Sequence, residues 1–152
     1  MERDIPWVRG ELPWLGGPLY RVRDSAWPVV HEFLKRHDYR LIVIDGTAMK
    51  SSEAAHEVLQ KAFGFPDWYG RNWDAFSDCF EDFAGENVGK RVAIVWRDIE
   101  TAGRVDPATT AEVGWGLLDC AFRSSERSGR GDGDSIVVDV FAIGGGDEFA
   151  SP

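Results

Sequence analysis

Apolar positions along this chain follow two rhythms. RLIVIDG (40–46), RVAIVW (91–96) and SIVVDVFAIG (135–144) are nearly continuous apolar runs. Runs of that length, closed by Gly or a charge, are the mark of strands buried on both faces of a sheet. LYRVR (19–23) is read as a further strand. Between the runs the spacing changes to three and four. VVHEFLKRH (29–37) is helical in period, with Ser25 as its expected N-cap and Pro28 in the tolerated first turn. Over 53–63, Ala55, Val58, Leu59 and Ala62 share one side; Ser51 or Ser52 can cap this helix, and Gly64 and Pro66 end it. A third helix is expected over 72–83. The segment 97–107 is read as a loop leading to a capping box, Thr109 with Glu112, and to a helix ending near 125. Gly114 and Gly116 lie inside that helix, and each weakens it by about 1 kcal/mol relative to Ala.

A strand–helix–strand unit with short links, here 19–45, implies a parallel pair. The pattern therefore predicts an α/β fold: a small parallel sheet of three strands at 41–45, 91–96 and 136–141, a fourth strand from the N-terminal extension, and helices packed on it. Residues 1–40 are expected to add a β-α unit to the domain formed by 41–143. SGRGDGDS (128–135) reads as a turn, and 144–152 as a flexible tail.

Composition narrows the class. The 152 residues, 43% of them apolar and 12% aromatic, suffice for one domain with a real core. A net charge of −9 argues against nucleic acid or an anionic membrane as partner and favours a basic protein or a cationic ligand. MERDIPWVRG at the start lacks the apolar region of a signal peptide, and no apolar run is long enough to span a bilayer. Cys79 and Cys120 form no CxxC or metal-ligand spacing and are expected as reduced, buried thiols, which suits a cytoplasmic protein.

The charge is unevenly spread. Residues 66–89 contain six acids and one base, Arg71, and so carry five of the nine net negative charges. At about 100° per residue, Asp74, Asp78, Glu81 and Asp82 gather on one side of the expected helix; Phe76, Cys79, Phe80 and Phe83 lie opposite, with Trp73 at the boundary. Each like-charge pair three or four apart costs an isolated helix about 0.2–0.5 kcal/mol, and the macrodipole does not relieve those near the C-terminal end. Such a face is either a solvated helix surface, the commoner case, or a docking surface for a basic partner. Three features favour docking: no lysine is interleaved, Trp68, Tyr69 and Trp73 flank the acids as interface anchors, and Gly70 and Asn72 present a turn just ahead.

The string PDWYGRNWDAFSDCF (66–80) closely resembles the central motif of the barstar family of intracellular ribonuclease inhibitors. IDG (44–46), the Ser-capped helix with His56 ahead of Leu59, and the strand ending at Trp96–Arg97 extend the resemblance over roughly 41–140. It implies a small parallel sheet with helices, no catalysis, no cofactor and no metal. It also implies that the turn and acidic helix plug the active site of a secreted, basic, barnase-like ribonuclease specific for guanyl sites. By that resemblance Asp78 stands in for an RNA phosphate, Asp74 and Asn72 support it, Trp68 stacks on the enzyme, and Tyr69, Gly70, Trp73, Ser77, Glu81, Asp82 and Phe83 complete the partner-binding segment. The free protein is expected to be a monomer.

The chain also departs from the family pattern. Arg71 puts a cation where an acid is usual, and Ser77 replaces an aromatic. An acid supplied by a later helix has only Ser124 or Glu126 as the nearest candidates. An alternative is an immunity or interaction protein of the same fold that binds an unrelated basic toxin. Trp7, Trp14 and Trp27 would then add contacts, or else simply cover the sheet. An enzyme reading would need Asp74 and Asp78 as a carboxylate pair, but such pairs usually face each other from different elements. His31 and His37 do not share a helix face, His56 reads as a helix residue, and G-x-S-x-G, P-loop and H-E-x-x-H motifs are absent.

Overall fold

A computed structural model describes residues 8–17, 19–128 and 136–152, with the side chains of 125–128 also outside the description. Trp7, the side chain of Glu126 and most of the turn expected at 128–135 therefore lie outside the described residues. The elements run α1 (Val8–Glu11), β1 (Leu19–Arg23), α2 (Trp27–Arg36), β2 (Tyr39–Asp45), α3 (Ser52–Phe63), α4 (Trp73–Glu86), β3 (Arg91–Arg97), α5 (Ile99–Val105), α6 (Pro107–Ser128) and β4 (Val137–Gly144).

The four strands form one parallel sheet in the order β1-β4-β3-β2. The fold class is the expected α/β one, extra N-terminal strand included, but the expected neighbour is not. β1 pairs with β4, Leu19 opposite Val140, and β2 occupies the far edge against β3. The connection through α2 therefore crosses the whole sheet. Crossovers running in opposite directions over a sheet are both right-handed only if they use opposite faces. The chain obeys this: α1 and α2 pack Val8, Val30, Phe33 and Leu34 on Val22, Ala93, Val95 and Phe141, while α3 to α6 cover Ile44, Val92, Ile94, Trp96 and Val140 on the other face. Trp14 and Trp27 cover the first of these faces.

The middle strand β3 is buried from Val92 to Trp96, as its apolar run implies. β2 has an equally apolar sequence but is an edge strand, so Val43 remains 46% exposed. Caps set the helix starts. Ser51 Oγ accepts from Ala54 N–H at 3.1 Å, as expected. Ser25 does not cap α2, because the chain enters that helix through a 3₁₀ turn, Asp24–Ala26. The expected capping box shifts too: Asp106 caps α6 by accepting from Thr109 N–H at 3.0 Å and from its hydroxyl at 2.8 Å, so Thr109 lies inside the helix behind Pro107. The supposed loop at 97–107 contains α5. The tail is docked: Phe149 is buried, and Ala150 exchanges backbone hydrogen bonds with Arg21 and Arg23 on the outer edge of β1.

Candidate functional site

α3 and α4 are joined by an aromatic cluster, and that cluster fixes the acidic face. The Phe63 ring stacks on Phe65 at 5.2 Å between centroids and meets Phe76, Phe80 and Phe83 edge-on at 5.8, 5.7 and 5.2 Å. With Phe76, Cys79, Phe80 and Phe83 turned inward and buried against Leu59 and Ile42, Asp74, Asp78, Glu81 and Asp82 must point outward, and all four are exposed. Helix α4 ends one turn later than expected, at Glu86, where buried Asn87 donates to Phe83 C=O at 2.7 Å.

The turn ahead of α4 is held at several points. Gly64 ends α3 in the left-handed region at φ 69°. Gln60 Nε2 donates to Pro66 C=O at 2.9 Å, and Tyr69 N–H closes a turn onto the same carbonyl. Tyr69 is only 4% exposed, and its hydroxyl meets Nδ1 of buried His56. Burial pushes the Tyr69 phenol up, so it keeps its proton. Burial likewise lowers the His56 pKa, with Glu112 opposing and Arg71 adding to the shift. A protonated phenol donating to a neutral imidazole is the arrangement consistent with both. Asn72 caps α4: its Oδ1 accepts from Ala75 N–H at 2.8 Å, and its amide donates to Gly70 C=O at 3.1 Å. Arg71, in the left-handed region at φ 52°, reaches back to Glu53 and Glu57 on α3, both at 3.2 Å. Between the buried rings of Phe65 and Tyr69 the turn carries Trp68 outward, 72% exposed.

Of the residues singled out from sequence, Trp68, Gly70 and Asn72 in the turn and Asp74, Asp78, Glu81 and Asp82 on α4 are exposed, and Trp73 and Ser77 are half-buried. Tyr69 and Phe83 are buried and can only support that surface from beneath. Among the described residues, Asp74, Asp78 and Asp82 form no salt bridge. The acid face also bears on Cys79: burial, then Asp82 and Asp78, push its thiol up, so it stays protonated and unreactive.

Two residues escape a reading of the motif because they come from α6. A cleft of about 340 Å³ separates α4 from α6, lined by Trp73, Asp74 and Ser77 on one side and Glu112, Trp115 and Arg123 on the other. Trp115 is 75% exposed at this cleft. Arg123 crosses toward α4 and donates from Nη2 to Ser77 Oγ at 2.6 Å while pairing with Asp119 at 3.0 Å. The other α6 candidate, Ser124, is buried and donates to Cys120 C=O. Gly116 explains itself here. A Cβ on it would lie 2.4 Å from the Trp73 ring, so the missing side chain is what allows the indole to rest against α6. No group of three or more His, Cys, Asp or Glu among the described residues could hold a metal.

Comparison with known proteins bears on this geometry. The family described as barstar (barnase inhibitor) matches residues 39–136. The chain belongs to the barstar family. It is also similar to a Bacillus subtilis (strain 168) protein named "Putative ribonuclease inhibitor YrdF", with 48% identity over 40 residues. That stretch spans 26% of this chain and 44% of the relative's length. The barstar-family match takes in β2, β3, the α3–α4 aromatic cluster, the turn, the acidic face and α6; β1, α2 and β4 lie outside it.

Proposed function

We propose that this chain is a proteinaceous inhibitor of a basic, secreted, barnase-like ribonuclease with guanyl specificity, acting in the cytoplasm without catalysis of its own. The acidic face of α4 and the turn before it fill the enzyme's active site, with Asp78 at the centre, Asp74 beside it and Trp68 as the exposed aromatic anchor. One observation carries this reading. A rigid helix, fixed by a phenylalanine cluster and an asparagine cap, holds four carboxylates outward in a row next to an exposed indole, and three of them have no salt-bridge partner among the described residues. Self-repulsion in such a row is offset when it meets a basic cleft. The same field speeds encounter, an effect for which the barnase–barstar pair is itself the standard example. Asn72 contributes by holding the turn; Tyr69 and Phe83 contribute from below.

The test is inhibition of RNA cleavage by secreted guanyl-specific ribonucleases at two salt concentrations. Wild type should inhibit at least one. Asp78→Ala should weaken it by about 2–5 kcal/mol, since the enzyme's cations would be left buried and unpaired. Asp74→Ala should weaken it as well, whereas Glu81→Ala and Asp82→Ala should mainly slow association and flatten its salt dependence. Failure of wild type to inhibit any of them refutes the function. Inhibition that Asp78→Ala leaves intact refutes the site.

A further inference from the structure

The cleft between α4 and α6 is lined by an indole that the core does not use. Trp73, on the α4 side, is half-buried and rests against Gly116, His56 and Phe76, but Trp115, on the α6 side, is 75% exposed. A single exposed apolar side chain is ordinary, and this one is not single. Half-buried Leu118 and 64% exposed Phe122 follow it at three and seven residues, so α6 carries an apolar stripe on its outward side. Charge decides what fits at the Trp115 end. Three acids line the cleft, Asp74, Glu112 and Asp119, against one cation, Arg123. Arg123 is already engaged: it pairs with Asp119 at 3.0 Å and donates to Ser77 Oγ. Asp74 and Glu112 have no salt-bridge partner among the described residues. Glu112 and Asp119 stand one turn before and one turn after Trp115, which makes them its neighbours on the helix surface. An aromatic face set among carboxylates attracts a cation by its ring quadrupole and by Coulomb force together. A planar guanidinium suits it best, because it stacks on the ring and keeps its edge donors for the carboxylates.

We propose that Trp115 is a second aromatic anchor of the inhibitory surface and sets its specificity: the ribonuclease inserts an arginine side chain into the α4–α6 cleft, stacked on the Trp115 indole and paired with Asp74 and Glu112. The inference rests on the ribonuclease-inhibitor reading and extends that surface from Asp74 across the cleft to α6. In it, the acids of α4 attract any basic nuclease, and Trp115 selects among them. A nuclease with an arginine placed to reach the cleft gains a stacked, charge-assisted contact. One with a lysine there gains less, and one with an acid meets Asp74 and Glu112 as like charges, the repulsive element that discrimination between similar partners requires.

The test separates a cation-binding indole from a merely apolar one. Binding and inhibition constants should be measured for wild type, Trp115→Ala, Trp115→Leu, Trp115→Phe and Glu112→Gln against the guanyl-specific ribonuclease that wild type inhibits best, with thermal unfolding of each variant as the folding control. Trp115 is exposed, so melting temperatures should stay close to wild type. Trp115→Ala should weaken inhibition at least tenfold. Trp115→Leu keeps apolar bulk without a ring face and should lose nearly as much, whereas Trp115→Phe keeps a weaker ring face and should recover part of the loss. Replacing the exposed arginines of the nuclease by alanine, one at a time, should identify one whose absence removes most of the effect of both Trp115→Ala and Glu112→Gln; calorimetry reads binding where the nuclease variant is inactive. Inhibition by Trp115→Ala equal to wild type overturns the proposal. So does a Leu variant as good as wild type, or a nuclease with no arginine coupled to Trp115. Sedimentation that shows a wild-type dimer made monomeric by Trp115→Ala also overturns it, because a second copy would then be the occupant of the stripe. If Asp78→Ala abolishes inhibition while the Trp115 variants do not weaken it, only this inference falls. If wild type inhibits no ribonuclease, both readings fall.

Discussion

Replacing Gly116 by Ala sets two well-understood effects against each other. Helix propensity favours the change by about 1 kcal/mol, because glycine is the more flexible residue in the unfolded chain. Packing opposes it. The new Cβ would stand 2.4, 2.8 and 3.0 Å from three atoms of the Trp73 six-membered ring, against roughly 3.5–4.0 Å for an ordinary carbon contact. The ring must therefore retreat by about 1 Å, and it is hemmed in by His56 at 4.8 Å and Phe76 at 5.2 Å between centroids. Overpacking of this kind costs about 1–3 kcal/mol. The net expectation is a loss of up to about 2 kcal/mol, which for a domain of this size lowers the melting temperature by up to roughly 8 °C. Gly114 is the control. It lies in the same helix two residues earlier, and a Cβ there would touch only Trp96, at an ordinary 3.8 Å. Gly114→Ala should therefore stabilise by up to about 1 kcal/mol. Thermal and denaturant unfolding of the two variants, with Trp73→Ala added to Gly116→Ala to relieve the clash, gives the comparison. If Gly116→Ala stabilises as Gly114→Ala does, the indole does not lie against α6 and the described wall of the cleft is wrong.

Two other outcomes follow from the same packing. Phe80→Ala removes a buried ring that faces Phe63, Phe76 and Phe83 and should cost about 3–5 kcal/mol in denaturant unfolding; a loss below about 1 kcal/mol would contradict the orientation of α4. His56 has its pKa lowered on folding, so the unfolded chain binds the proton more readily and stability must fall as pH drops through the unfolded-state value of about 6.5. Comparing stability from pH 8 to pH 5 for wild type and His56→Gln isolates this contribution; an equally steep decline in both would exclude it.

The inward face of α4 was legible because Phe76, Phe80 and Phe83 repeat at helical spacing with acids opposite, a local signal that packing had no reason to override. Ser51 and Gly64 likewise carry their roles in their own chemistry. α5 was not legible. Its N-cap, Asp98, is of a usual capping type but lies in the left-handed region and makes no side-chain cap bond, and the helix is short and contains Gly103, so the local signal was weak. The capping box at Thr109 was a coincidence of spacing, since Asp106 and Pro107 supply the stronger start. The partner of β1 could not be read from βαβ pattern alone, because a crossover fixes direction and not how many strands it passes. The tail looked polar and glycine-rich, yet Phe149 finds a pocket beside Gly144 where an added Cβ would sit 2.3 Å from its ring. At the site, the acids and the exposed tryptophan were visible in one motif, but burial of Tyr69 depends on His56 from another helix. Arg123, 46 residues from Ser77, has no local signal at all.

The pairing of β1 with β4 also has a consequence for how the chain is made. Leu19 lies opposite Val140, so this contact closes a very long loop and cannot reward folding until nearly the whole chain exists. At synthesis rates of about 5–20 residues per second, β1 and α2 leave the ribosome roughly 6–25 s before their partner strand. Throughout that interval Val30, Phe33 and Leu34 lack Phe141 and Ile143 of β4, and until β3 emerges they lack Ala93 and Val95 too, so the sheet face they pack on stays incomplete. The N-terminal unit is thus born first and folded last, while α3, α4 and β2 can already gather around their phenylalanines. A nascent chain stalled before β4 should therefore be a substrate for chaperones at its N-terminal end, even with its acidic helix already formed.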